Sequence, residues 1–140
     1  MTELNEFSFD DIYIGQQEIF SKKITDSMIE EFANFSGDLN PLHMNHEYAK
    51  STIFEKRVVH GMLLSSLFSQ LIGMKLPGKN ALYFSQTLNF RSPCYADDEV
   101  QIKGEIIEKS NSTKIITIAT SISNDSGVCL IDGIAKVIVR

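Results

Sequence analysis

Asp38 and His43 are the residues of this chain most readily cast as a proton-transfer pair. They stand five residues apart in the run F-S-G-D-L-N-P-L-H, from Phe35 to His43. A carboxylate and an imidazole held at a defined separation are what a general acid/base pair requires. The run is stiff: Gly37 takes positive φ without steric cost, Pro41 fixes its own φ, and Asn40, preceding proline, is pushed towards extended backbone. Taken singly, Asp38 could be a loop-capping carboxylate and His43 a satisfied structural histidine. Their fixed spacing is what favours chemistry.

The neighbouring elements must present this run. Upstream, T-D-S-M-I-E-E-F-A carries a helix start, with Thr25 as N-cap, Asp26 in the first turn, and Met28, Ile29, Phe32 and Ala33 on one face. The helix is predicted to end before Gly37 and deliver the chain into the Asp38 loop, and a short second helix is predicted from His46 to Ser51. Downstream, between His60 and Lys75, Leu63, Leu64, Leu67, Phe68, Leu71, Ile72 and Met74 fill slightly more than half of a helical circumference. Met62, Ser65, Ser66, Ser69, Gln70 and Gly73 share the remaining arc, with no charge before Lys75. This pattern predicts a buried central helix with one hydroxyl-lined face. Its start at His60-Gly61 turns free backbone N–H groups and the positive end of the helix dipole towards whatever sits there.

The rest is β-rich. Met1 to Gly15 reads as a leading arm docked by Phe7, Phe9, Ile12 and Tyr13, and Gln16 to Ile24 as a first strand. After Leu76-Pro77-Gly78, Ala81 to Phe90 alternates, with Leu82, Phe84, Leu88 and Phe90 on one side. Val100, Ile102 and Ile106 alternate with polar residues up to a turn at Lys109 to Ser112. Lys114 to Ser123 and Val128 to Arg140 flank the Asn124-Asp125-Ser126-Gly127 hairpin turn. Strands joined by such short turns are antiparallel, and their apolar side has one large partner, the His60–Lys75 helix. The expected fold is α+β: a curved antiparallel sheet wrapped around a long central helix, in a single domain over 1–140. One layer leaves edges and part of a face open, so a homodimer is expected.

Composition narrows the functions available. The chain has 140 residues, 43% of them hydrophobic, and a net charge of −5. No basic run interleaves with aromatics, which argues against a nucleic-acid partner. The acidic N-terminus lacks the features of a secretory signal, and no run of roughly 18 apolar residues suits a membrane span. Cys94 and Cys129 lie far apart without C-x-x-C spacing and read as reduced thiols of a cytoplasmic protein. A metal site at Asp38, His43 and His46 would need convergent donors from outside one short loop, and His60 is the only other histidine. No metal is expected.

Ser36-Gly37-Asp38-Leu39-Asn40-Pro41-Leu42-His43, followed by Tyr48-Ala49 and by Val59-His60-Gly61-Met62, resembles the MaoC-like, or hydratase-2, branch of the hot-dog fold superfamily. The likeness is to the (R)-specific enoyl-CoA hydratases and runs from about Phe32 to the C-terminus. Asn45 stands where many relatives have aspartate, and Lys56-Arg57 where a proline often occurs. The resemblance implies reversible syn addition of water to a trans-2-enoyl thioester, on CoA or an acyl carrier, without a cofactor. It implies Asp38 and His43 as the catalytic pair and the Gly61 N–H as the oxyanion donor. Asn40 and Ser69 would support them, with Ser69 bonding the Asp38 carboxylate, while Met62 and Ile72 would contact substrate, Ile72 limiting acyl length.

Physical chemistry runs alongside this likeness. Water attacking C3 must lose a proton, and the resulting enolate oxygen needs stabilising. A water between Asp38 and His43 can be deprotonated by one of them while the other orients it or returns a proton to C2. Two rivals remain open: an acyl-CoA thioesterase on the same fold, and a non-catalytic module that binds acyl thioesters. Lys56, Arg57, Lys75, Lys79 and Arg91 read either as solvated charges or as partners for the phosphates of CoA or of a carrier arm.

Overall fold

The computed structural model describes residues 3–140, so the first two residues of the expected leading arm lie outside the described ones. Six antiparallel strands form one sheet: β1 (Gln17–Lys23), β2 (Ala81–Gln86), β3 (Asn89–Phe90), β4 (Glu99–Lys109), β5 (Ile115–Asn124) and β6 (Cys129–Val139). Their order is β1-β4-β5-β6-β2, with β3 also pairing to β6. Alternation decides which face is buried. Val100, Ile102 and Ile106 of β4, Ile116, Ile118 and Ile122 of β5, and Ile131, Ala135 and Val137 of β6 all point into one core.

That core closes against helical chain from Gly61 to Lys75, which supplies Leu63, Leu64, Leu67, Phe68, Leu71 and Ile72. The expected α+β plan of a sheet around a central helix is therefore the observed one. The sheet approaches the helix closely at Gly104, where an added Cβ would lie 3.0 Å from Leu71 Cδ2.

Two local expectations are corrected. The central helix is not one uniform rod. It consists of α4 (Gly61–Ser65), α5 (Leu67–Gln70) and a closing π-type turn, Leu71–Lys75. Ser65 and Ser66 return their hydroxyls to the carbonyls of Met62 and Leu63, competition with the backbone ladder that bends helices. Its hydroxyl face is only partly buried: Ser65 is covered, whereas Met62, Ser66 and Ser69 are exposed.

The stretch from Ala81 to Phe90 is likewise two strands. A register irregularity lies between Tyr83 and Ser85, and Leu82, Phe84 and Phe90 are all exposed. The bulge breaks the alternation, and β2 is an edge strand with nothing across it among the described residues.

Before the central helix the chain forms α1 (Asp26–Ser36), α2 (Pro41–Met44) and α3 (His46–Lys50). Thr25 caps α1 through Oγ1, which accepts from the Met28 N–H at 3.2 Å, as its position predicts. Gly37 ends α1 with φ 80°, a left-handed cap that other residues adopt with strain. Ile29 and Ala33 of α1 are buried.

Candidate active site

The Asp38 loop owes its shape to short-range bonds. Asp38 donates its N–H to Ser36 Oγ at 3.1 Å, and its Oδ1 accepts from the Asn40 N–H at 3.2 Å. Asn40 Oδ1 in turn accepts from the Leu42 N–H at 3.0 Å and so caps α2, with Pro41 in its first turn. This four-residue helix, not foreseen in the sequence, orients the His43 side chain. Asn40 thus serves as the hinge between the two titratable groups.

His43 Nδ1 lies 2.7 Å from the Val58 carbonyl oxygen. A carbonyl only accepts, so Nδ1 carries the proton and Nε2 of the neutral ring keeps its lone pair. Nε2 faces Asp38 Oδ2 at 3.9 Å, too long for a direct bond. A water set off that line, about 2.8 Å from each acceptor, can donate one hydrogen to each. Its remaining lone pairs then face outward.

His60 closes the site from below. It is 1% exposed, its Nε2 lies 3.0 Å from the Asp38 carbonyl oxygen, and its ring centroid is 4.1 Å from that of His43. Burial, the dominant influence, holds its pKa below the ordinary value, so the ring stays neutral. Its Nδ1 has no hydrogen-bond partner among the described residues. Arg57, also buried, reaches the Asp26 carboxylate at 2.6 Å and the His43 carbonyl at 3.3 Å, tying α1 to α2.

Asp38, His43, His60, Gly61, Met62 and Phe90 line an opening of about 300 Å³. His43, Gly61 and Phe90 also border an adjoining cavity of about 350 Å³, walled by Phe54, Val59, Leu64, Pro93, Leu130 and Ile131 among others. The Phe90 ring lies so close to Gly61 that a Cβ there would sit 2.7 Å from two ring carbons. Gly61 opens α4, where the first amides have no partner within the helix.

The chain belongs to the MaoC like domain family. That family matches residues 13–128. The (R)-specific enoyl-CoA hydratase of Aeromonas caviae is 40% identical over 124 residues, 89% of this chain and 92% of that protein. The mitochondrial 3-hydroxyacyl-[acyl-carrier-protein] dehydratase of Arabidopsis thaliana is 39% identical over 114 residues, 79% of this chain and 68% of that one. Among solved structures, the R-hydratase PhaJ1 from Pseudomonas aeruginosa in the unliganded form superimposes with a TM-score of 0.93 at 31% identity, over 98% of this chain and 88% of that one. The hot-dog architecture expected from the MaoC-like motif is therefore the fold of this chain.

Within this MaoC-like frame, the site residues read from sequence divide into two groups. Asp38, Asn40, His43, Gly61 and Met62 converge on the opening or on the loop that forms it. Ser69 and Ile72 do not. Ser69 is exposed and, among the described residues, makes no hydrogen bond to Asp38. Ile72 is 1% exposed inside the core and borders neither cavity. The cations weighed as phosphate partners mostly have other contacts. Arg57 pairs with Asp26, Lys79 with Glu6, Arg91 with Asp132, and Lys56 lies over the Tyr95 ring. The buried bonds of Arg57 and His60 were not legible in sequence, because their partners lie 31 and 22 residues away.

Asp38, His43 and His60 each bring one donor atom within 4.8 Å of the others, the arrangement among the described residues most like a metal centre. A tetrahedral zinc needs its donors about 3.3 Å apart, so these would have to close up.

Proposed function

We propose that this MaoC-like protein is a cofactor-independent (R)-specific enoyl thioester hydratase. It adds water reversibly and syn to a trans-2-enoyl-CoA, or to the carrier-bound equivalent, giving an (R)-3-hydroxyacyl thioester. The observation that carries the reading is the 3.9 Å gap between Asp38 Oδ2 and His43 Nε2, beside the first amide of α4. Water held there loses one proton to the dyad as its oxygen bonds to C3. The C2–C3 π electrons move towards the thioester carbonyl, the Gly61 N–H meets the resulting enolate oxygen, and a proton returned by the dyad completes C2. Delivery and return from one side of the substrate make the addition syn.

The apolar cavity beside His43 and Gly61 suits the acyl chain, and Met62 at the lip of the opening suits the thioester arm. Sequence likeness to both a CoA hydratase and a carrier-protein dehydratase supports the thioester class without choosing between the two carriers.

Asp38→Asn and His43→Gln should each lower crotonyl-CoA hydration by roughly 10²–10⁴-fold while remaining folded. Loss of enoyl absorbance reads this reaction, and release of free thiol reads the thioesterase alternative. Near-normal hydration in either variant would overturn the assignment.

A homodimer is part of the reading. Phe35 and Ile53 are each 92% exposed, and the β2 edge carries Leu82 and Phe84 in the open. Apolar groups so exposed are better explained by a second copy than by solvent. A cytoplasmic location suits the free cysteines: burial lifts the Cys94 thiol to about 12, keeping it protonated and inert.

A further inference from the structure

We propose that His60 is a positioning residue, holding the backbone of Asp38 against the start of α4 so that the carboxylate, the His43 imidazole and the Gly61 amide keep one shared geometry. The inference rests on the hydratase reading of the same site.

One residue links Asp38, His43 and Gly61. Through Nε2 it bonds the Asp38 carbonyl at 3.0 Å, and since a carbonyl only accepts, Nε2–H is the donor. One neighbour in space is the His43 ring, 4.1 Å away and tilted by 30°. A second is Phe32 of α1, at 5.0 Å and 60°. Its own peptide bond leads directly into Gly61.

The choice of acceptor matters. His60 grips the main chain of Asp38 and leaves Oδ2 free for water. The other bonds of this loop, to Ser36 Oγ and from Asn40 N–H, join near neighbours and fix its shape without fixing its place. Among the described residues, the bond from His60 is the one that ties residues 37–40 to a distant part of the chain.

The far side of the ring gives a second, independent reason. Nδ1 is buried and unpartnered. An orphaned buried acceptor carries a desolvation cost that phenylalanine, of similar shape, would avoid. An imidazole kept here despite that cost is kept for its Nε2–H. Neutrality fits the same role. Burial lowers the pKa of His60 and His43 lowers it further, while the Asp38 carbonyl bond and carboxylate oppose them. A neutral ring lets His43 take up a proton without a second cation stacked on it.

Two variants test this. His60→Phe keeps a ring and removes the donor, whereas His60→Gln keeps an N–H able to reach the Asp38 carbonyl. In His60→Phe, kcat on crotonyl-CoA should fall roughly 10- to 100-fold, the cost of a small misplacement, with KM little changed. Amide hydrogen exchange of residues 38–43 should quicken by about ten-fold, a local loosening of the loop. His60→Gln should restore most of kcat together with the slow exchange. Unchanged loop exchange in His60→Phe, or equal losses of kcat in both variants, would overturn the proposal. If His60→Phe does not fold, His60→Gln decides alone: near-native kcat and exchange support the role, and loss of either refutes it. Should the unaltered protein fail to hydrate any enoyl thioester, the hydratase reading falls, while loop exchange still decides whether His60 places Asp38.

Discussion

At Gly61 a side chain would press on the Phe90 ring that borders the same opening. With the Phe90 ring carbons 2.7 Å from the site of any Cβ, alanine at position 61 must displace either the ring or the first turn of α4. Gly61→Ala should therefore cost about ten-fold or more in kcat/KM by displacing the proposed oxyanion donor. Adding Phe90→Ala should return part of that loss, and a double-mutant cycle measures the coupling. Additive effects would mean that the contact is irrelevant to turnover.

Residue-level geometry was legible in the sequence where it was local. The Asp38–His43 spacing, the Asn40-Pro41 step and the Gly37 cap act over a few residues, and each is found in place. Ser69 and Ile72 keep the arcs that helical spacing gives them, one exposed and one in the core, and only tertiary packing decides that neither borders the opening.

At the scale of elements, one short helix is clamped to a longer one by a single buried guanidinium. Arg57 pairs with Asp26 in the first turn of α1 and donates to the carbonyl of His43 in α2. Asp26 is largely exposed, so the pair is part-screened, and the penalty for its loss is that of buried groups left unpaired. Arg57→Ala should lower stability by about 1–3 kcal/mol in urea denaturation. It should also loosen the placement of His43, seen as a fall in kcat greater than any rise in KM. Unaltered stability and turnover would show that the clamp carries no load.

No sequence pattern announces this pairing, because charge and burial at Arg57 are matched by a residue on another element. Thr25 and Gly37 could be read because caps are written in the residues that form them. The β2 edge misled for the opposite reason. Its alternation is regular in sequence, but the irregularity between Tyr83 and Ser85, with no covering element among the described residues, leaves its apolar side in the open.

For the whole molecule, the exposed apolar residues and the buried neutral histidine make separate predictions. If a second copy covers Phe35 and Ile53, sedimentation should give a dimer, and Phe35→Ser combined with Ile53→Ser should shift it towards monomer. A monomeric unaltered protein would contradict this. Stability should also depend on pH in a defined direction. His60 is held below its ordinary 6.5 in the folded chain, so the unfolded chain binds its proton first as pH falls. Its contribution is whole above about pH 6.5 and is lost progressively below it, towards the folded-state value. Thermal melts between about pH 7 and pH 5 should decline accordingly, and His60→Gln should flatten that decline.

The overall architecture was readable because strand alternation and one long apolar helical stretch leave few ways to build a core. The central claim concerns the dyad, and its most direct measurement is hydration of crotonyl-CoA with chiral analysis of the product, for the unaltered protein, Asp38→Asn and His43→Gln. The account predicts (R)-3-hydroxybutyryl-CoA from the unaltered protein and almost none from either variant. An (S) or racemic product, or turnover surviving both substitutions, would contradict it.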